Sequence, residues 1–224
     1  VGIQSVFPKT LNIGPWSVSD TVVYTWIVIA VLALLALVGF RRFRSWQPKR
    51  WQLLIEVLWE YVEELVINSG GQPQNGMVSY LVTMIFFVGL ANLLGLVPAF
   101  KSPTRDLNTT LALSLVSLAS CHYFAIRKNG LVADLKRFVE PVFVILPLTV
   151  LGELSRVLSM ALRLFGNVLA GEIVSAVMYM LVPLLVPLPL NALGAITGVL
   201  QALVFTTLTV VFMLDAMGSD EPAT

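Results

Sequence analysis

The sequence predicts an all-α integral membrane protein with about five membrane segments, an amphipathic helix between the first two, and a long tilted helical hairpin at its C-terminal end. Three observations carry this reading. Of 224 residues, 57% are hydrophobic and only 12% charged, against about a quarter charged in soluble domains, and the mean hydropathy is +0.86. Apolar runs long enough to cross a hydrocarbon core of roughly 30 Å recur along the chain. These runs lack the alternation of a barrel strand, and lipid permits only helices or closed barrels.

The whole chain, 1–224, is read as a single transmembrane domain. Residues 1–20 are expected outside the membrane. Their first ten, "VGIQSVFPKT", lack a charged region ahead of an apolar one, so no cleavable signal is expected and the first span is a retained anchor. Residues 21–40, "TVVYTWIVIAVLALLALVGF", form that span. Residues 51–70 place Glu56, Glu60, Glu63 and Glu64 at helical spacing, largely opposite Leu54, Ile55, Val57, Leu58, Val62 and Leu65. Two readings suit this helix: it lies on the membrane interface with Trp51 and Trp59 at headgroup depth, or it is a solvated connector. Gly70, Gly71, Pro73 and Gly76 break it before the second and third spans within 77–126. Residues 142–217 make the hairpin and 218–224 the tail.

Charge placement orients these segments. Arg41, Arg42, Arg44, Lys49 and Arg50 follow the first span; Arg127, Lys128, Lys136 and Arg137 follow the third. The positive-inside rule puts both loops on the cytoplasmic side, or on the equivalent side in an organelle. The N-terminus, the 100–108 loop and the "PVPLPLN" turn are then outside and the C-terminus inside. In the outer loop Lys101 and Arg105 are expected to be partly offset by Asp106. A net charge of +1 leaves no basic surplus for nucleic acid, and Cys121, the only cysteine, cannot form an internal disulfide.

The hairpin carries the unusual chemistry. From Pro147 to Pro183 a helical pattern runs for about 36 residues, on the order of 54 Å, so the helix must tilt, kink or lie partly along the membrane. On a helical wheel Arg156, Ser159, Gly166, Asn167 and Ala170 all fall within about 60° of Arg163, whereas Glu172 falls about 180° away, toward a polar cavity behind that face. A cation at mid-membrane costs roughly 2.5–3.5 kcal/mol on insertion scales. An internal ion pair with Glu153 or Glu172, or snorkelling to an interface, would offset it. Arg156 has Glu153 one turn away, but Arg163 has no acid within four residues on either side. Its partner is expected from another helix or another polypeptide.

"LRLFGNVLAGE", followed about thirty residues later by "LQALVFTTLTVVF", resembles the C-terminal hairpin of subunit a of the rotary F-type ATP synthase, and "PTRDLNTTLALSL" at 103–115 resembles the same family independently. With the segment order, the resemblance covers nearly the whole chain. It implies a stator ion-channel subunit with two offset aqueous half-channels, working against a rotating c-subunit ring whose mid-membrane carboxylates meet Arg163. A guanidinium that stays charged favours the ionised ring carboxylate and blocks a direct leak. By the same resemblance Gln201 opposes the arginine. Asn167 and Glu172 belong to the outer half-channel, and Asp106 with Asn108 to its mouth. Glu153, Ser155 and Asp215 are candidates for the inner access path or plain structural residues, and Arg156 stands beside them. Many relatives have proline where this chain has Val157, and some have an ionisable residue where it has Gly194, so the outer path is expected to rely on Glu172 and water. His122 matches no site of the family and is read as a packed or interface residue.

The implied partners are the c-ring, peripheral-stalk b subunits, the remaining ATP synthase subunits and the lipid bilayer. The translocated ion is a proton by default, with Na+ the alternative. No P-loop, metal cluster or nucleophile motif is present in the sequence, so no cofactor, metal or ATP site is expected here. A self-contained channel or transporter would want discontinuous helices in symmetric halves, which the sequence does not offer. A purely structural membrane subunit would leave Arg163 unexplained. The inner loops and the "PTRDLNTT" stretch suggest a bacterial cytoplasmic membrane.

Overall fold

The computed structural model describes residues 10–13, 16–42, 50–97, 100–131, 146–181 and 187–218. The expectations resting on Arg44, Lys49, Lys136, Arg137, the first nine residues and most of the tail lie outside these residues, as do those resting on the side chains of Arg41, Arg42, Arg50 and Trp51. Among the described residues six helices dominate: α1 Asp20–Arg42, α2 Arg50–Asn68, α3 Asn75–Leu94, α4 Leu107–Asn129, α5 Leu146–Leu181 and α6 Pro187–Met217. All but α2 are long and apolar enough to cross a membrane. One element was not anticipated: an antiparallel hairpin of β1 Thr10–Ile13 and β2 Trp16–Ser19, pairing Thr10 with Ser19 and Ile13 with Trp16 just ahead of α1.

Helix α6 is the centre of the bundle. One apolar cluster joins Val62 and Val66 of α2, Met77, Leu81 and Ile85 of α3, Phe124 and Ala125 of α4, and Val210, Met213 and Met217 of α6. A second joins Met84 and Val88 of α3, Met160 and Leu164 of α5, and Ala202 and Phe205 of α6. Small residues let the backbones approach, as membrane packing requires. The Gly198 carbonyl accepts Asn92 Nδ2 at 3.0 Å, and a Cβ on Gly198 would lie 3.1 Å from that of Asn92. At the α2–α3 break Gly70 takes φ +82°, and Gly71 lies so close to Leu214 that a side chain there would collide with it.

Many of the serine and threonine hydroxyls in the helices are satisfied locally. Thr25, Ser79, Thr83, Ser114, Thr206, Thr207 and Thr209 each donate to the carbonyl four residues back, removing the cost of a buried unpaired hydroxyl. Ser117 and Thr209 also bond across α4 and α6 at 2.9 Å. Asn129 Nδ2 donates to the Met217 carbonyl at 2.8 Å, fastening the ends of the same two helices.

Helix α5 is the least enclosed of the five long helices. Only Val157, Met160, Ala161 and Leu164 are buried, a single stripe against α3, α4 and α6. Along α2 the valines at 62 and 66 are fully covered, while Leu53, Leu54, Ile55 and Val57 remain exposed beside the exposed Glu56, Glu60 and Glu64. Glu63 is half-buried and accepts Trp59 Nε1 at 2.7 Å.

Candidate functional site

Helix α5 carries three groups of chemistry along its length. Near its C-terminal end Glu172 meets the connection between α3 and α4, which bends back into the bundle. Ser102 Oγ donates to the Ala91 carbonyl at 2.9 Å, and Thr104 Oγ1 donates to Asn92 Oδ1 at 2.7 Å. A short 3-10 turn, Pro103–Arg105, then aims Arg105 inward. Its side chain is 1% exposed, yet it is the largest and most polar of the fully buried residues. Nη2 donates to Asp20 Oδ2 at 3.0 Å, Nη1 lies 3.9 Å from Glu172 Oε2, and Lys101 Nζ lies 3.8 Å from Asp20 Oδ2. Two cations and two carboxylates thus join the start of α1, the loop and α5.

The loop cations pair with Asp20 and Glu172, acids that lie outside the loop. Asp106 is otherwise engaged: Oδ1 accepts the Asn108 backbone N–H at 3.0 Å, capping α4, and Oδ2 accepts Thr21 Oγ1 at 2.8 Å and Ser19 Oγ at 3.5 Å. The reason is local, because an aspartate at a helix start finds backbone donors within its own turn. Asn108 contributes that backbone donor and its side chain is exposed.

Near the N-terminal end of α5, Arg156 Nη1 lies 2.8 Å from Asp215 Oδ2 of α6 and 3.6 Å from Glu153 Oε1. Its guanidinium sits 4.9 Å from the centre of the Phe212 ring, a cation–π contact. The pairing with Glu153 follows helical spacing. The shorter one with Asp215 crosses between helices and had no local signal. Beside it a narrow cleft of about 10 Å³, room for about one water, is walled by α4, α5 and α6; its lining joins the apolar Leu118, Val157, Met160, Phe212 and Ala216 to Ser114, Ser117, Cys121, His122, Glu153 and Arg156. His122 therefore borders a charged cleft, which no sequence pattern had suggested.

Between these clusters stands Arg163. It is exposed, and among the described residues it makes no ion pair. Ser155, Ser159, Gly166, Asn167 and Ala170 are exposed as well, so the face drawn on the wheel is uncovered. Gln201 is buried on α6 and its Nε2 has no hydrogen-bond partner among the described residues. No hydrogen bond joins Gln201 to Arg163 here. Arg163 lies seven positions from Arg156 and nine from Glu172, about 10 Å and 13 Å along the axis.

Comparison with known proteins bears on the same segments. Residues 22–214 match the family described as ATP synthase A chain. The chain is 37% identical to ATP synthase subunit a 2 of a Bradyrhizobium species over 210 residues, 93% of each chain. It is 35% identical to ATP synthase subunit a 2 of Pelobacter propionicus, covering 94% of this chain and 92% of the relative. It is 33% identical to ATP synthase subunit a 2 of a Picosynechococcus species, covering 89% and 86%.

Proposed function

Because the chain belongs to the family of ATP synthase subunit a, an integral membrane component of that complex, we propose that it is the stator ion channel of a rotary ATP synthase, coupling proton flow to rotation of a c-subunit ring. The observation that carries the reading is the arrangement along α5: an exposed cation, Arg163, stands between two charged clusters at opposite ends of the helix. An exposed guanidinium at membrane depth with no acid near it on its own helix needs an anionic partner, and ring carboxylates supply one. Each carboxylate is held ionised as it passes Arg163, so an ion must enter on one side, travel with the ring and leave on the other.

The outer half-channel, in this reading, runs past Asn167 and Glu172, with Arg105 and Asp20 fixing the wall behind Glu172 and Asp106 shaping the mouth. Gln201, buried with an open amide donor, holds water or turns toward the guanidinium once the ring is seated. The inner path lies toward Glu153, Ser155, Arg156 and Asp215. The single domain spans 1–224 with its N-terminus outside and C-terminus inside a bacterial cytoplasmic membrane, α2 lies on the inner interface, and peripheral-stalk b subunits and the remaining ATP synthase subunits complete the partners. ATP chemistry belongs to those other subunits.

The test is ion-driven ATP synthesis and passive ion leak in vesicles carrying the assembled complex with Arg163→Ala. Loss of synthesis with intact assembly is expected, with added leak if the arginine also separates the half-channels. Normal coupled synthesis overturns the reading. Replacing Na+ by K+ throughout is expected to leave native synthesis unchanged; a strict Na+ requirement reassigns the ion.

A further inference from the structure

Glu172 stands at an edge of α5. Counted at 100° per residue from Arg163, the buried residues Met160, Leu164, Val157 and Ala161 fall at about 60°, 100°, 120° and 160°. Glu172, at about 180°, borders that stripe on the side where α5 meets the α3–α4 connection. Its side chain is 25% exposed. A carboxylate largely out of water holds any cation that reaches it tightly, because little solvent competes. A group on an ion path cannot do so, since conduction requires binding weak enough for the ion to leave.

The α3–α4 connection answers that requirement. Arg105 Nη1 lies 3.9 Å from Glu172 Oε2. The charged groups facing the carboxylate are Arg105 and Lys101 of the connection and Asp20 of α1, with the Ser102 backbone N–H also directed at it. A guanidinium keeps its charge at every relevant pH. At 3.9 Å it is beyond hydrogen-bonding reach, so it lowers the carboxylate's attraction for a further cation and leaves the oxygen's lone pairs open. Arg105 is itself fixed: its side chain is 1% exposed and Nη2 donates to Asp20 Oδ2 at 3.0 Å. The 3-10 turn and the bonds of Ser102 and Thr104 to Ala91 and Asn92 set the backbone behind it. The charge therefore cannot swing away when an ion arrives.

We propose that Arg105, seconded by Lys101, is a positioning residue for ion uptake from the outer side: held against Glu172, it weakens the carboxylate's grip so that the ion is handed on rather than trapped. The proposal rests on the stator reading and deepens it. It gives a part in transport to a residue that reads in the sequence as a loop charge, and it ties that part to the start of α1 through Asp20.

Inverted vesicles carrying the assembled complex test it, because their lumen is the outer side. ATP synthesis is measured against lumen pH at fixed medium pH, with a valinomycin-set K+ potential adjusted to keep the total driving force constant. Arg105→Gln is expected to lower the half-saturating lumen proton concentration by about threefold or more, the effect of one nearby unit charge in wet surroundings, and Arg105→Lys to return it toward the native value. A purely structural tie lowers the rate equally at every lumen pH; that result, with the half-saturating concentration unmoved, overturns the proposal. So does an Arg105→Lys shift as large as that of Arg105→Gln, which removes charge as the cause. In a Glu172→Gln background the shift from Arg105→Gln is expected to vanish, and its persistence overturns the action through Glu172. If Arg105→Gln does not assemble, Lys101→Gln, whose native side chain is 28% exposed, decides by the same titration: a shift of about twofold in the same direction is expected, and no shift overturns the proposal. The stator reading is judged separately by Arg163→Ala. Loss of coupling there with an unmoved half-saturation in Arg105→Gln sinks only the part given to Arg105.

Discussion

Removing the Arg105 guanidinium tests whether the buried ion cluster holds α1, the α3–α4 connection and α5 together. Arg105→Met keeps an apolar stem of similar reach and deletes the charge. Asp20 then loses its 3.0 Å partner, with Lys101 at 3.8 Å still beside it, while Glu172 loses the cation 3.9 Å away. Breaking a buried pair costs about 3–5 kcal/mol, because an uncompensated charge is left behind. Asp20 and Glu172 have side chains 12% and 25% exposed, so water relieves part of that penalty and the low end, about 3 kcal/mol, is expected. For a chain of this size that corresponds to a fall of roughly 6–12 °C in the thermal unfolding midpoint in mild detergent. Adding Asp20→Asn neutralises the stranded acid, so the double variant should recover part of the loss, with a coupling energy of about 1–3 kcal/mol. If Arg105→Met unfolds within about 0.5 kcal/mol of the native chain, or the two substitutions add without coupling, the cluster is not a buried electrostatic tie and the reasoning fails.

Three further outcomes follow from the same packing. Asp106→Ala removes the cap of α4 and the bond from Thr21, and a loss of about 2–3 kcal/mol is expected from a lost cap and a lost buried hydrogen bond together; denaturant titration reads it, with Asp106→Asn retaining most of the cap. Gly198→Val drives a side chain into Asn92, whose Cβ is already 3.1 Å from the nearest possible substituent atom, and overpacking should cost about 1–3 kcal/mol and part α3 from α6, seen as faster exchange of backbone amides there. Asp215→Asn breaks a pair whose partners are 37% and 46% exposed, so stability should move by less than about 1 kcal/mol in the same titration; a larger loss would refute the solvent-screened pair.

The helices were legible because their signals are local. The spans expected at 21–40 and within 77–126 are found as Asp20–Arg42, Asn75–Leu94 and Leu107–Asn129, and the long helix from Pro147 is found over Leu146–Leu181. The exposed face containing Arg163, Gly166 and Asn167 follows from helical periodicity alone, and the Glu153–Arg156 pair follows from spacing. In the sequence Arg105 reads as a loop charge, and Asp215 as a candidate for the inner access path or a plain structural residue. Each proves to have a partner on a distant segment. The β1–β2 hairpin has a local signal too, since Thr10–Ile13 and Trp16–Ser19 alternate polar and apolar residues on either side of Gly14 and Pro15 in the sequence.

By itself the sequence determined the solvent, the number and type of membrane segments, and the cation with no acid nearby on its own helix. Hydrophobicity is a property of each residue, and a helix places residues on faces by a fixed rotation. Tertiary structure alone decided which charges meet: Arg105 with Asp20 and Glu172, and Arg156 with Asp215, while Asp106 received Thr21 of α1 besides capping its own helix and His122 came to border a charged cleft. Those choices depend on where separate helices cross, and crossing is set by packing among Gly198, Asn92 and the apolar clusters around α6. Charges far apart along the chain find one another only after that packing has brought their backbones within a side chain's reach.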